Sequence, residues 1–188
     1  MRFVDEYRAP EQVMQLIDHL RSRAMHLDYT AARPLRIMEV CGGHTHAIFK
    51  FGLDQLLPEN IEFIHGPGCP VCVLPMGRID SCIEIASHPE VIFCTFGDAL
   101  RVPGKNGSLM QAKARGAAIR ILYSPMDALR LAQENPDRKV VFFGLGFETT
   151  MPATAIVLQQ ALARNLNNFF FFCQHITLIP TLRSLLEQ

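Results

Sequence analysis

The chain has 188 residues, of which 49% are hydrophobic and 19% charged, so it is long and apolar enough to bury a core. Lys plus Arg and Asp plus Glu number 18 each, and this zero net charge argues against a dedicated nucleic-acid-binding protein, which usually carries a basic excess. The opening residues show no secretory signal and no apolar run is long enough to span a bilayer, so we expect a cytoplasmic protein without a membrane segment.

Short apolar segments alternate with amphipathic segments along the chain. Strands are expected over 35–40, 61–64, 91–96, 119–123, 140–145 and 169–173. Helices are expected over 10–27, 44–51, 78–86, 109–115, 126–133, 151–163 and 178–186. This alternation predicts an α/β fold, doubly wound, in which helices cover both faces of one or more mostly parallel sheets.

A polar turn at 135–137 lies between two complete strand–helix units. It predicts a first α/β domain over 1–136, and over 137–188 the start of a second α/β domain that is only partly present. Strand order cannot be deduced from this pattern alone.

Polar, glycine-rich segments follow most of the expected strands. They are 41–46, 65–72, 97–104, 146–150 and 174–175. Ligands of open parallel sheets bind beyond the carboxyl ends of the strands. If the strands form one parallel sheet, these segments share one edge, and we expect the functional site there.

Cys69 and Cys72 form a CxxC motif inside the second of these segments. Two thiols at this spacing can chelate a metal or close a reversible disulfide. In an α/β protein of a reducing compartment, the motif favours dithiol redox chemistry over a structural disulfide. The alternative is that both thiols merely pack in a loop.

Cys41 ends the first expected strand and is followed by Gly42, Gly43 and His44. A thiolate at a helix N-terminus interacts favourably with the free backbone N–H groups, and it can act as a nucleophile or a soft ligand for iron. His44 or His46 could transfer a proton, orient the thiolate or bind the metal. The alternative for each histidine is a hydrogen bond that caps the helix.

Four other side chains are weaker candidates. Cys82 and Cys94 lie within apolar segments and are expected to behave as small core hydrophobes. Cys173 ends the last strand, and its role stays open. Glu148 could be a general base or simply a carboxylate favoured in the first turn of a helix. No phosphate-binding loop or complete dinucleotide fingerprint is present, so neither NAD nor ATP is expected.

A zinc site is an alternative for the cysteine-rich stretch. Cys41, His44, Cys69 and Cys72 could supply four ligands. The interval between the two pairs is longer than in a zinc ribbon, and a helix is expected within it. Zinc is therefore the second choice.

Four segments in this order resemble the HypD family of [NiFe]-hydrogenase maturation proteins, and the resemblance extends over the whole chain. They are MEVCGGHTHAIFKFG, FIHGPGCPVCVLP, FGDALRVPG and GLGFETTMPATA. The resemblance implies a scaffold for assembly of the Fe(CN)2CO group together with a HypC-like chaperone and a HypE-like cyanide donor. It implies that Cys41 holds the iron, that His44 is its neighbour and a further candidate ligand, and that Cys69 and Cys72 form a redox dithiol.

Members of this family are longer and end in a cysteine-rich segment that binds a [4Fe–4S] cluster. No second group of four cysteines is present here, so we expect this chain to correspond to the N-terminal part of the family. The expected function is an assembly scaffold with redox capability rather than a stand-alone enzyme. A general thiol–disulfide oxidoreductase and a zinc-stabilised interaction module remain the alternatives.

Overall fold

The computed structural model describes residues 9–66 and 68–187. Residues 1–8, on which the expectation of no secretory signal falls, lie outside the described residues, as do Pro67 and Gln188. The strands are β1 (Leu35–Glu39), β2 (Ile61–His65), β3 (Val91–Thr95), β4 (Ile119–Ile121), β5 (Lys139–Gly146) and β6 (Phe169–His175). The helices are α1 (Pro10–Ala24), α2 (Gly42–Lys50), α3 (Leu53–Leu56), α4 (Pro70–Val73), α5 (Met76–Ala86), α6 (Leu109–Ala114), α7 (Met126–Glu134), α8 (Met151–Ala163) and α9 (Leu178–Leu186).

All the strand pairs are parallel, which confirms the predicted α/β class. The strands form two sheets, one of order β1-β2 and one of order β4-β3-β5-β6. The assumption of a single sheet with one shared edge was therefore wrong, because β1 and β2 pair with each other and not with β3–β6. The strand ends share an edge within each sheet.

Contacts divide the chain into two compact units, Met1–Cys69 and Pro70–Gln188. The polar turn at 135–137 falls inside the second unit, between α7 and β5. There β5 pairs with β3 from Val91↔Lys139 to Cys94↔Phe142, so strands before and after this turn belong to one sheet. The predicted domain boundary after residue 136 stays a prediction.

Apolar side chains cover both faces of the four-stranded sheet, as a doubly wound fold requires. Successive residues of a strand point to opposite faces. Phe93 and Phe143 accordingly pack on one face with Cys82, whereas Cys94 and Phe142 pack on the other. Strand β3 is buried along its whole length, which explains its continuous apolar sequence VIFCT.

The first unit has a smaller core. Among its described residues, the buried apolar side chains are Ala24 and Ile48. A hydrogen bond of 2.7 Å from Asn60 Nδ2 to the carbonyl of Ala24 ties the end of α1 to the residue preceding β2. Backbone and side-chain hydrogen bonds thus contribute much of the order in this unit.

The main local difference from the expected elements lies in 65–75, which the sequence indicated as an irregular loop. A short helix, α4, interrupts it, with Pro70 in its first position. Proline is well tolerated there because its fixed φ suits a helix and its missing N–H would be unbonded anyway. None of the helices within the described residues has the length and apolar composition needed to cross a bilayer.

Candidate metal-binding site

The candidate site lies at the turn from β1 to α2, where the sequence placed Cys41. Cys41 has an extended backbone (φ −118°, ψ 118°) immediately before the helix, and its carbonyl accepts a 2.9 Å hydrogen bond from the N–H of Thr45. Gly42 and Gly43 form the first positions of α2. A Cβ at Gly43 would lie 3.8 Å from Cys41 Sγ, at ordinary van der Waals distance, so Gly43 lies directly beside the sulfur.

Glu39, Cys41 and His44 form a compact group of three potential metal ligands. One donor atom from each lies within 4.8 Å of the others. Glu39 Oε1 accepts a 2.8 Å hydrogen bond from the N–H of Cys41, and Glu39 Oε2 lies 3.2 Å from His44 Nδ1. The His44 side chain is 71% exposed and that of Glu39 22%, so the group opens to solvent on the histidine side. A thiolate, an imidazole and a carboxylate can together hold a transition metal such as iron or zinc.

The sequence analysis predicted Cys41 and His44 as neighbours in a site but did not predict Glu39. The sequence feature that could have indicated Glu39 is a carboxylate in the otherwise apolar segment IMEV, two residues before the cysteine. His46 lies outside the three-residue group. His65 Nδ1 lies 3.0 Å from Thr45 Oγ1, and its ring is 5.0 Å from that of Phe49, so His65 packs against α2.

Glycines at the end of β2 bring Cys69 back toward α2. A Cβ at Gly66 would approach the side chains of Met38 and Val40 to within 2.9 Å, so a larger residue would have to displace them. Gly68 has φ +90°, in the left-handed region that favours glycine. After this turn, Cys69 packs beside Gly42, where an added Cβ would lie 3.7 Å from Cys69 Sγ.

The CxxC motif spans the boundary between the two compact units. Cys69 ends the first unit and is half-buried, whereas Cys72 lies in α4 of the second unit and is exposed. The exposure of Cys72 is suited to exchange with an external thiol or protein. The redox role of this pair stays a prediction.

Glu148 in the second unit holds the start of α9. Its Oε1 accepts hydrogen bonds of 2.7 Å and 3.2 Å from the N–H groups of Leu178 and Ile179. Hydrogen bonds from its own backbone N–H and from these two residues hold the pKa of Glu148 below its usual range. This carboxylate ties the end of β5 to α9, and a role as general base stays a prediction.

Cys173 and His175 lie on the same face at the end of β6, with 3.7 Å between Cys173 Sγ and His175 Nδ1. Cys173 is exposed. Burial of the imidazole lowers the pKa of His175 from its ordinary value. A neutral imidazole beside an exposed thiol is therefore expected near neutral pH.

A [4Fe–4S] cluster, which the family resemblance implies, needs four cysteine thiolates. Over residues 9–66 and 68–187, the group of three or more potential ligands contains one cysteine, Cys41. Cys82 and Cys94 are fully buried on opposite faces of the four-stranded sheet. The binding of this cluster by the family therefore stays a prediction.

The fold and the site together define an α/β protein in which a cysteine, a histidine and a glutamate lie together at a strand-to-helix turn. A family model described as "HypD: Hydrogenase formation hypA family" matches residues 11–188. The chain belongs to this family.

Curated relatives agree with the family match. The chain is 88% identical to the hydrogenase maturation factor HypD of Escherichia coli (strain K12) over 188 residues, covering 100% of this chain and 50% of that protein. It is 60% identical over 187 residues to HypD of Rhodobacter capsulatus, again covering 100% of this chain and 50% of the relative. The hydrogenase expression/formation protein HupD of Azotobacter chroococcum mcd 1 is 53% identical over 94% of this chain and 45% of its own length. The chain thus spans about half the length of the curated relatives it matches, corresponding to their N-terminal half.

Proposed function

We propose that this chain acts in [NiFe]-hydrogenase maturation as a scaffold on which the Fe(CN)2CO group is assembled. The group formed by Glu39, Cys41 and His44, with donor atoms within 4.8 Å of one another, is the observation that supports this proposal most directly. The names of the relatives, hydrogenase maturation factors, supply the biological process.

In this proposal the iron fragment is a substrate that the Cys41 thiolate holds. Soft thiolate sulfur is a good ligand for iron that carries strong-field diatomic ligands. The neighbouring His44 is a second candidate ligand, because its exposed imidazole lies in the same group. The chain is then an assembly scaffold with redox capability rather than a stand-alone enzyme.

Cys69 and Cys72 supply the redox part of the proposal. Oxidation of two thiols to one disulfide releases two electrons and two protons, which in this proposal pass to the bound cargo. The position of Cys69 beside Gly42, the residue after Cys41, supports this assignment. The alternative function, a general thiol–disulfide oxidoreductase, differs from this proposal because its activity would not depend on Cys41.

The proposed partners are those that the family resemblance implies. A HypC-like chaperone shares the iron fragment, and a HypE-like protein supplies cyanide. We place the process in the cytoplasm, where reducing conditions keep thiols available. Neither nucleic acid nor a membrane enters this proposal.

The proposal is tested by infrared spectroscopy of this chain, produced anaerobically with a HypC-like partner and a HypE-like cyanide donor. We expect bands of iron-bound CN and CO in the wild type and their loss in Cys41→Ala. Cys173→Ala, which removes an exposed thiol of the other unit, is the matched control and should keep the bands.

Equal band intensities in the wild type and Cys41→Ala would overturn the proposal. Stoichiometric zinc in place of iron, kept in Cys41→Ala but lost in Cys72→Ala, would instead support a zinc-stabilised interaction module. The thiolate, imidazole and carboxylate of this site suit zinc as well, so metal content must accompany the spectra.

A further inference from the structure

Glu39 contacts both functional residues of the site through different carboxylate oxygens. Oε1 accepts a 2.8 Å hydrogen bond from the backbone N–H of Cys41. Oε2 lies 3.2 Å from Nδ1 of His44. One side chain therefore fixes both the turn that carries the thiol and the ring of the imidazole.

The main chain holds Glu39 itself in place. It is the last residue of β1, where it is paired in register with His65 of β2. Its carbonyl accepts a 2.9 Å hydrogen bond from the N–H of Gly66. Because the side chain is also largely buried at 22% exposure, the carboxylate has a defined position before any metal binds.

The contact with Glu39 determines which nitrogen of His44 carries the proton. An ionised carboxylate can only accept hydrogen bonds, so a bond to Nδ1 requires that Nδ1 carry the proton. In the neutral ring the lone pair is then on Nε2. The exposed imidazole thus presents Nε2 for binding, an arrangement in which a carboxylate fixes the orientation and tautomer of a metal-binding histidine.

We propose that Glu39 is a positioning residue, which orients the Cys41 turn and holds His44 with Nε2 available to the metal. This inference rests on the proposed function, because it assumes that Cys41 and His44 receive a metal. Glu39 acts through these two residues and is not itself a ligand. Loss of such an outer carboxylate typically lowers metal affinity about 10- to 100-fold.

The test is an anaerobic titration of the full chain with cobalt(II), whose thiolate-to-metal absorption reports bonding to cysteine sulfur. We expect Glu39→Ala to weaken cobalt(II) binding about 10- to 100-fold while the absorption bands at saturation stay unchanged. Glu39→Gln, whose single amide oxygen can accept one of the two hydrogen bonds, should fall between Glu39→Ala and the wild type. A changed ligand-field band at saturation would make Glu39 a ligand and overturn the positioning role.

Glu62→Ala is the matched control. Glu62 is a carboxylate on the neighbouring strand β2, where its Oε2 pairs with Arg36 Nε at 3.1 Å on the exposed surface. We expect its removal to leave the cobalt(II) affinity unchanged. An equal loss of affinity in Glu62→Ala and Glu39→Ala would contradict the inference. It would show that the loss comes from the change in net charge or from impaired folding.

A second measurement separates positioning from a merely structural role. Nitrogen-15 NMR of the histidine rings in the metal-free chain should show His44 protonated on Nδ1 in the wild type. In Glu39→Ala the resonances should shift to the Nε2-protonated form. Unchanged His44 resonances in a folded Glu39→Ala chain would overturn the inference.

The two proposals fail in different ways. If Cys41→Ala keeps the thiolate-to-cobalt absorption, Cys41 is not the metal-holding thiolate and the proposed function fails. If Cys41→Ala loses this absorption while Glu39→Ala binds cobalt(II) as tightly as the wild type, only the role of Glu39 fails.

Discussion

Burial separates the cysteines of this chain into chemically different groups. Cys82 and Cys94 have no exposed surface, and desolvation raises the pKa of each thiol to about 12. Burial disfavours the thiolate because a charge in an apolar core loses its hydration. Cys41 is half-buried and Cys173 is exposed. The expectation that Cys82 and Cys94 are core hydrophobes is confirmed.

This difference predicts which thiols react with iodoacetamide in the native chain. We expect Cys82 and Cys94 to stay unmodified while Cys173 reacts, because a pKa raised from 9.0 to about 12 lowers the thiolate fraction roughly 1000-fold near neutral pH. Mass spectrometry of peptides after timed labelling measures the rates. All three should react at similar rates in concentrated urea.

Modification of Cys94 at the native rate of Cys173 would contradict this account. It would mean that the core around β3 opens on the timescale of labelling. Since Cys94 lies in a strand that is buried along its whole length and paired on both sides, such opening would require loss of the four-stranded sheet.

At the residue scale, sequence patterns singled out Cys41 and His44 but not the hydrogen bonds that join them to Glu39. Cys41 and His44 were predicted because a thiol and an imidazole after a strand are an uncommon combination. Glu39 was missed because a carboxylate at the end of a strand usually indicates no more than solvent exposure. Its role depends on a turn that brings Cys41 N–H and His44 Nδ1 to different oxygens of one side chain.

At the scale of elements, the pairing of β5 with β6 depends on a glycine. Gly144 is paired in register with Cys173. A Cβ at Gly144 would overlap the ring of Phe171 and come within 3.1 Å of His175 Cε1. The phenyl ring of Phe171 therefore occupies the space that a side chain on β5 would take.

We predict that Gly144→Ala lowers the free energy of unfolding by about 1–3 kcal/mol, the usual cost of overpacking a well-packed core. Urea denaturation followed by circular dichroism measures this change. Gly77→Ala is the control, because an added Cβ there meets no atom within 4 Å and Gly77 lies in α5. It should be neutral or stabilising by up to about 1 kcal/mol, since alanine favours helix. A stability of Gly144→Ala equal to that of the wild type would contradict the packing described here.

The six strands were predicted as elements, whereas their division into sheets was not. A run such as VIFCT indicates a buried strand, but pairing partners depend on contacts distant in sequence. The short helix α4 was missed because glycine and proline surround it, and its four residues give too little periodicity to detect. The hydrogen bonds of Glu148 to α9 could not be predicted for the same reason, because they join segments 30 residues apart in the sequence.

At the scale of the whole molecule, the candidate metal-binding site and most of the buried core belong to different units. The site lies in Met1–Cys69, where Ala24 and Ile48 are the buried apolar side chains among the described residues. The four-stranded sheet and its two apolar faces lie in Pro70–Gln188. The order of the site therefore depends on local hydrogen bonds, in which Glu39 takes part through its carbonyl and both carboxylate oxygens.

In the proposed function, the sulfur of Cys41 bonds directly to the iron cargo. X-ray absorption at the iron edge, on the anaerobic chain with its HypC-like partner, measures this bond. We predict that Cys41→Ser, which replaces sulfur by oxygen at nearly constant size, reduces the sulfur scattering around iron, and that Cys173→Ser leaves it unchanged. Sulfur scattering of wild-type amplitude in iron-loaded Cys41→Ser would contradict the account.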